Sequence, residues 1–269
     1  MTATAANPDR PAILDEILAS QHRGRWWFRA QFIAVWLVLV GLLLFALWAT
    51  GNIEADWIST WAPFILGGTA ITVFICVTSI ILATVLAVIG AIARLSSNAI
   101  IYSVASLYVS LVRGTPLLVQ IFFVYFALPQ MGVRLDALLC GILALGFNYG
   151  AYMTEVFRAG IQAVPRGQRE AAHALGMPER DIMRRIVLPQ AFRIVIPAIG
   201  NDFVAMIKDS ALVSTIAVQE LLWRAQRAGT QTFHSLQAFL IAAAVYWALT
   251  IVFSFFQEKL EKRMARSDR

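Results

Sequence analysis

Five charged side chains stand inside otherwise apolar stretches of this 269-residue chain: Arg113, Glu155, Asp202, Lys208 and Asp209. On insertion scales a charge at bilayer depth costs about 2.5–3.5 kcal/mol, so such residues are kept where they line a cavity or find a partner. Asn148, Tyr152 and Glu155 recur at i, i+4 and i+7, which puts them on one helix face. On that face Glu155 answers either a cationic group such as a substrate ammonium, or Arg158 three residues on. Lys208 meets either a substrate carboxylate or a local partner, Asp209 or Asp202. Ser210 and Thr215 either extend a polar patch or bond back to the preceding helical turn. Together Asn148, Tyr152, Glu155, Lys208, Asp209 and Ser210 are the residues expected to line a route for a polar solute.

A second constellation is Arg113, Gly114 and Pro116. Proline has no N–H to give and clashes with the preceding turn, so a helix break is expected there. Carbonyls freed at such a break are tolerated in a membrane only when covered or hydrated. Arg113 is expected to bond them, in preference to touching substrate. No catalytic residue is expected. The sequence has no GxxxxGK[ST] loop to cradle phosphates. The three histidines, His22, His173 and His234, fall in separate segments, so neither a metal site nor a proton relay is indicated. Cys76 and Cys140 sit in apolar runs and read as packing residues.

These residues need long apolar elements to position them. Hydrophobic residues make up 59% of the chain and charged residues 14%. A soluble domain is less apolar and carries nearly twice the charge, and disorder needs the opposite balance. Six stretches are long enough to span a membrane, roughly 30–49, 64–93, 99–128, 137–158, 192–222 and 236–257. The first lacks a small-residue cleavage site and reads as a retained anchor. Residues 10–22 read either as a short surface helix with Ile13, Leu14, Ile17 and Leu18 on its apolar face, followed by Trp26 and Trp27 at the interface, or as a disordered tail. Of the 22 Lys and Arg residues, 17 fall on one face of this arrangement and 3 on the other. That asymmetry puts both termini and the 158–193 segment in the cytoplasm, and it explains the net charge of +6 without a nucleic-acid partner. The fold class is all-α, a polytopic membrane helix bundle with six spans. Ala83, Ala87 and Ala91, with Gly146 and Gly150, supply the four-residue spacing that lets helices pack closely.

The cytoplasmic segment 165–190 carries too much charge to cross the membrane. Its punctuation predicts one helix over about 168–175, a left-handed Gly176 at its end, and a second short helix that begins at Pro178 and stops before Pro189. Two short helices fixed at an angle suit docking into a groove of a cytoplasmic partner. Glu170-Ala171-Ala172, Gly176 and Ile186-x-Leu188-Pro189 stand at the spacing of the EAA loop. In this the chain resembles the transmembrane permeases of ABC importers. The segments Arg113–Gln120, Tyr125–Pro129, Tyr152–Ile161 and Lys208–Leu212 look like the polar amino-acid subfamily.

The resemblance covers residues 60–260 and implies several further features. The EAA loop would be the coupling helix for ATP-binding subunits, which bind ATP and Mg; this chain would hold no cofactor. A second permease chain, an external substrate-binding protein and membrane lipid complete the partners, in a bacterial cytoplasmic (inner) membrane. The resulting division is a cytoplasmic tail 1–29, an extra span and external loop 30–63, a permease domain 64–258 containing the 165–190 loop, and a cytoplasmic tail 259–269. An ion-coupled secondary amino-acid carrier is the alternative, but it commonly shows inverted repeats and leaves the EAA loop unexplained.

Overall fold

The computed structural model describes residues 10–49 and 53–265, with side chains described for 26–49 and 53–264. Every regular element among them is helical. The chain divides into two compact units, Met1–Ala55 and Asp56–Arg269.

The first unit holds α1, Arg10–Ala49, one helix of 40 residues. At 1.5 Å per residue it is about 60 Å long, twice a hydrocarbon core. Its portion Trp26–Ala49 is apolar enough to cross a membrane. The surface helix expected over 10–22 is therefore continuous with the first span. The apolar face expected from Ile13, Leu14, Ile17 and Leu18 lies outside the described side chains.

In the second unit α2 (Ala55–Leu66) runs into α3 (Thr69–Arg94) across a turn at Gly67 and Gly68. Next come α4 (Ala99–Arg113) and α5 (Leu117–Phe122), which continues through a π turn and a 3₁₀ turn to Met131. Then come α6 (Ala137–Gln162), α7 (Arg166–Ala174), α8 (Glu179–Ile182) and α9 (Leu188–Asp209). A 3₁₀ segment, Ser210–Ile216, leads to α10 (Leu221–Thr232) and α11 (Ser235–Ala265). Asn98 and Asp136 start α4 and α6 as N-caps, accepting from the N–H groups of Ile100 and Leu139 at 2.9 and 3.0 Å.

The main core lies where α3, α6 and α9 meet, and its tightest seam is α3 on α6. Ala83, Ala87 and Ala91 are buried there, as their spacing predicts. A Cβ at Gly146 would lie 2.6 Å from Leu82 Cδ2 and 3.1 Å from Leu82 Cβ, so only glycine lets the helices approach this closely.

The break expected at Arg113, Gly114 and Pro116 is present, and the chain turns by 107° between α4 and the α5 segment. The side chain that holds it is not Arg113. Gln120 Nε2 donates to the Val112 carbonyl at 2.8 Å and to the Thr115 carbonyl at 3.1 Å. Arg113 instead lies over the Tyr152 ring, 5.1 Å from its centroid. The reason is reach: Gln120 sits on the first turn after the break, where its amide is directed back onto the exposed carbonyls.

The six-span expectation is supported only in coarser form. Among the described residues four helices are long and apolar enough to cross a membrane, or five if the bent α4–α5 pair is one span. The stretch expected as a span over 192–222 is α9, which ends at Asp209, then the 3₁₀ segment and a left-handed Ala217 at φ 63°. Arg193, Asp202, Lys208 and Asp209 keep α9 from being a plain apolar crossing.

Two measurements check this packing. Gly146→Val should lower the thermal midpoint of the detergent-solubilised protein, since overpacking a seam costs about 1–3 kcal/mol; an unchanged midpoint refutes the close approach. Gln120→Leu should destabilise more than Arg113→Ala, because it strips the donor from the part-buried Val112 carbonyl, a loss of about 1–3 kcal/mol where water does not replace it; the reverse order would restore the break to Arg113.

Candidate functional site

The loop between α6 and α9 is built to present a small helical surface. α7 ends in a Schellman motif: Gly176 N–H donates to the His173 carbonyl at 2.9 Å and Met177 N–H to the Ala172 carbonyl at 3.1 Å. Gly176 takes φ +73°, the left-handed conformation its position predicts. The loop has its own apolar floor, where Ala172, Ile182 and Val187 pack with Ile161, Val164 and Ala191. Arg169 donates to the Ile161 carbonyl at 3.0 Å and Gln190 to Gln168 Oε1 at 2.6 Å, tying the loop to the ends of α6 and α9. His173 Nε2 lies 3.0 Å from Glu179 across the turn. Glu170, Ala171, Leu175 and Gly176 are exposed, Leu175 to 82%. Within the EAA positions Ala172 faces inward, Glu170 and Ala171 face out, and Ile186 and Leu188 are half-buried.

One expectation about this loop is corrected. The second helix does not end before Pro189. It runs from Glu179 through a π turn at Met183–Val187 directly into α9. Leu188 N–H reaches the Met183 carbonyl, five residues back. Pro189 falls in the first turn of α9, the part of a helix that tolerates proline, so the helix carries on past a residue that ordinarily stops it.

The polar residues of α6 and α9 sort into separate clusters. Glu155 accepts from Arg158 at 2.7 and 3.0 Å and from Arg94 at 3.2 Å. Arg94 also donates to Ser106 at 2.5 Å and lies over the Tyr102 ring, so the cluster joins α3, α4 and α6. Of the two partners weighed for Glu155, the geometry supplies Arg158 and adds Arg94. Asn148 donates to Gln120 Oε1 at 3.2 Å, which links it to the α4–α5 break. Tyr152 is exposed beneath Arg113. Asp209 accepts from the Tyr149 hydroxyl at 2.8 Å. Lys208 is exposed, and no carboxylate among the described residues is within ion-pair distance of it. Ser210 and Thr215 both bond back to their own helix, to the Ile207 and Leu212 carbonyls at 2.7 Å. Asp202 has one buried oxygen without a hydrogen-bond partner.

Sequence reasoning missed Gln120, Tyr149 and Glu220. Glu220 is fully buried and accepts from Trp223 N–H at 2.8 Å as the N-cap of α10. The signal was an acid at the mouth of a helix-forming run, hidden because the residue fell inside a long apolar stretch.

Comparison with known proteins agrees with this geometry. Residues 83–266 match the family described as binding-protein-dependent transport system inner membrane component. The arginine transport system permease protein ArtQ of Bacillus subtilis is 38% identical over 207 residues, covering 77% of this chain and 94% of that protein. The L-cystine transport system permease protein TcyB of the same organism is 40% identical over 205 residues, covering 76% and 88%. A crystal structure of an amino acid ABC transporter with histidines superposes with a TM-score of 0.75 at 36% identity, over 78% of this chain and 99% of that one. The MetNI methionine ABC transporter, at 16% identity over 79% of this chain and 99% of that one, shares the fold with a TM-score of 0.60. This chain therefore belongs to the binding-protein-dependent transport system inner membrane component family.

Proposed function

We propose that the chain is the transmembrane permease subunit of an ATP-driven ABC importer for polar amino acids, receiving substrate from an external binding protein. The observation that carries this reading is the EAA loop, complete in sequence and folded as an exposed helical hairpin closed by Gly176. Glu170 and Ala171 with the exposed Leu175 form the face that meets an ATP-binding subunit, and Ala172, Ile186, Leu188 and Pro189 fix that face to α9. ATP and Mg belong to the partner. Motion of the ATP-binding subunits enters through the hairpin and passes without interruption into α9, because no break separates α8 from α9.

The chain works beside a second permease chain, identical or not. In this reading α9 is the crossing that brings the number to six: its 22 residues give about 33 Å, enough for a hydrocarbon core. Its charges are then tolerated because they face the route rather than lipid. Both termini and the EAA loop lie in the cytoplasm of a bacterial inner-membrane protein, on the strength of the Lys and Arg distribution. Asn148, Tyr152, Lys208 and Asp209 line the route, with Glu155 at its cytoplasmic end. Arginine and cystine, the substrates in the names of two relatives, are both polar amino acids. The alternative of an ion-coupled carrier has no support among the relatives.

Purification from native membrane in mild detergent, with subunit identification, tests the assignment. A P-loop ATPase and a defined number of permease chains should co-purify. Absence of any ATPase, under conditions that preserve known complexes of this kind, would overturn it. Gly176→Val should reduce substrate-stimulated ATP hydrolysis several-fold while leaving the complex assembled, since a β-branched residue is strained at φ +73°. Wild-type stimulation in that variant would remove the hairpin from the coupling route.

A further inference from the structure

Besides the floor of the α7–α8 loop, the second unit has two apolar cores of different membership. One is built on α3, α6 and α9, and contains Cys76, Leu145, Met206 and Val218. The other joins α2, α10 and α11 through Trp57, Ile65, Leu221, Ala225, Ala228, Ala238 and Ala242. Glu220 sits in sequence between Val218 of the first and Leu221 of the second, and Tyr246 packs against both. At this seam the Glu220 carboxylate is 0% exposed. It accepts from the Tyr246 hydroxyl on α11 at 2.5 Å and from Trp223 N–H on α10 at 2.8 Å, and the Thr72 hydroxyl on α3 shares its proton between it, at 3.3 Å, and the Gly68 carbonyl, at 3.2 Å. Thr72 also accepts from Leu221 N–H at 3.2 Å. Next to it the α2–α3 turn is pressed onto the same point: a Cβ at Gly68 would lie 2.7 Å from the Leu221 backbone. Arg224 secures α2 by donating to the Phe64 carbonyl at 3.1 Å.

Three helices thus each place one donor on a single buried carboxylate. Apolar contacts across such a seam can slide with little change in energy. A buried charge cannot, because any relative movement of α3, α10 and α11 removes a hydrogen bond from a group with no water to replace it. The seam therefore has a discrete joined state, and Glu220 sets how firmly it is held.

We propose that Glu220 is a latch across this seam, and that α10 parts from α3 there during the transport cycle. Glu220 is a positioning residue, not a substrate contact. The cyclic parting rests on the importer reading given above; the latch itself rests on the geometry.

The complex of this chain with its co-purified ATPase, reconstituted in nanodiscs, supplies the test. Cys76 and Cys140 are replaced, and Ala242→Cys places a thiol in the second cluster, where the site is 2% exposed. The reaction of N-ethylmaleimide at position 242 reports opening, whichever side of the membrane it faces. Tyr246→Phe and Thr72→Val each remove one donor hydroxyl while keeping the side chain's bulk, and Glu220→Gln removes the charge. Each should speed labelling by about tenfold, the scale of one lost hydrogen bond to a buried charge. Each should also raise substrate-independent ATP hydrolysis several-fold. Unchanged labelling and unchanged basal hydrolysis in the assembled variants would overturn the latch. A lowered thermal midpoint with both readouts unchanged would overturn it equally, leaving Glu220 a purely structural cap. A parent complex with no ATP hydrolysis would sink the importer reading instead, and the labelling would still decide the latch.

Discussion

A helix that is interrupted inside a bilayer exposes backbone groups that no water reaches, and each must be answered by the protein itself. Three interruptions in the second unit answer their freed backbone groups in different ways, the first within the apolar α4–α5 pair and the other two in the exposed loop between α6 and α9. At the α4–α5 bend the side chain of Gln120 folds back onto the Val112 and Thr115 carbonyls. At the end of α7 the backbone closes on itself through the left-handed Gly176. Before Pro189 a π turn shifts the Leu188 N–H onto the Met183 carbonyl, and the helix proceeds with Pro189 in the first turn of α9. The first makes a sharp corner, the second ends a helix, and the third keeps two segments mechanically continuous.

That continuity matters for how a cytoplasmic motion could travel. The hairpin of α7 and α8 has its own floor of Ala172, Ile182 and Val187, and the same floor includes Ala191 of α9. Displacing the hairpin therefore displaces α9, which carries Asp202, Lys208 and Asp209 and packs in the main core through Val195, Met206 and Ile207. Among the charged residues of the bundle, Glu155, Asp209 and Glu220 each have a partner on another helix. Glu155 gathers Arg94 and Arg158, Asp209 takes Tyr149, and Glu220 takes Tyr246 and Thr72. Polar contacts of this kind fix the register of helices that apolar packing alone would leave free to slide.

What could be read from residue order was whatever depends on residues near in the chain. The apolar runs fixed where α1, α3, α6 and α11 lie. Pro116 after Gly114 located the bend, and Gly176 in its loop located a left-handed residue. The EAA spacing identified the family before any helix was placed. The same local logic failed at Pro189, because a proline is tolerated in the first turn of a helix, and a π turn joins α8 to α9 just before it.

The sequence by itself determined an all-helical membrane protein, the break at 114–116, the hairpin and its glycine. Only the tertiary structure decided which partner each buried polar group takes. Glu155 meets Arg94 across 61 residues, and Glu220 meets Thr72 across 148. Such pairings depend on how far one helix is shifted and rotated against another. Those offsets are set by close contacts such as Gly146 on Leu82, spread over the whole seam, and no stretch of sequence encodes them alone.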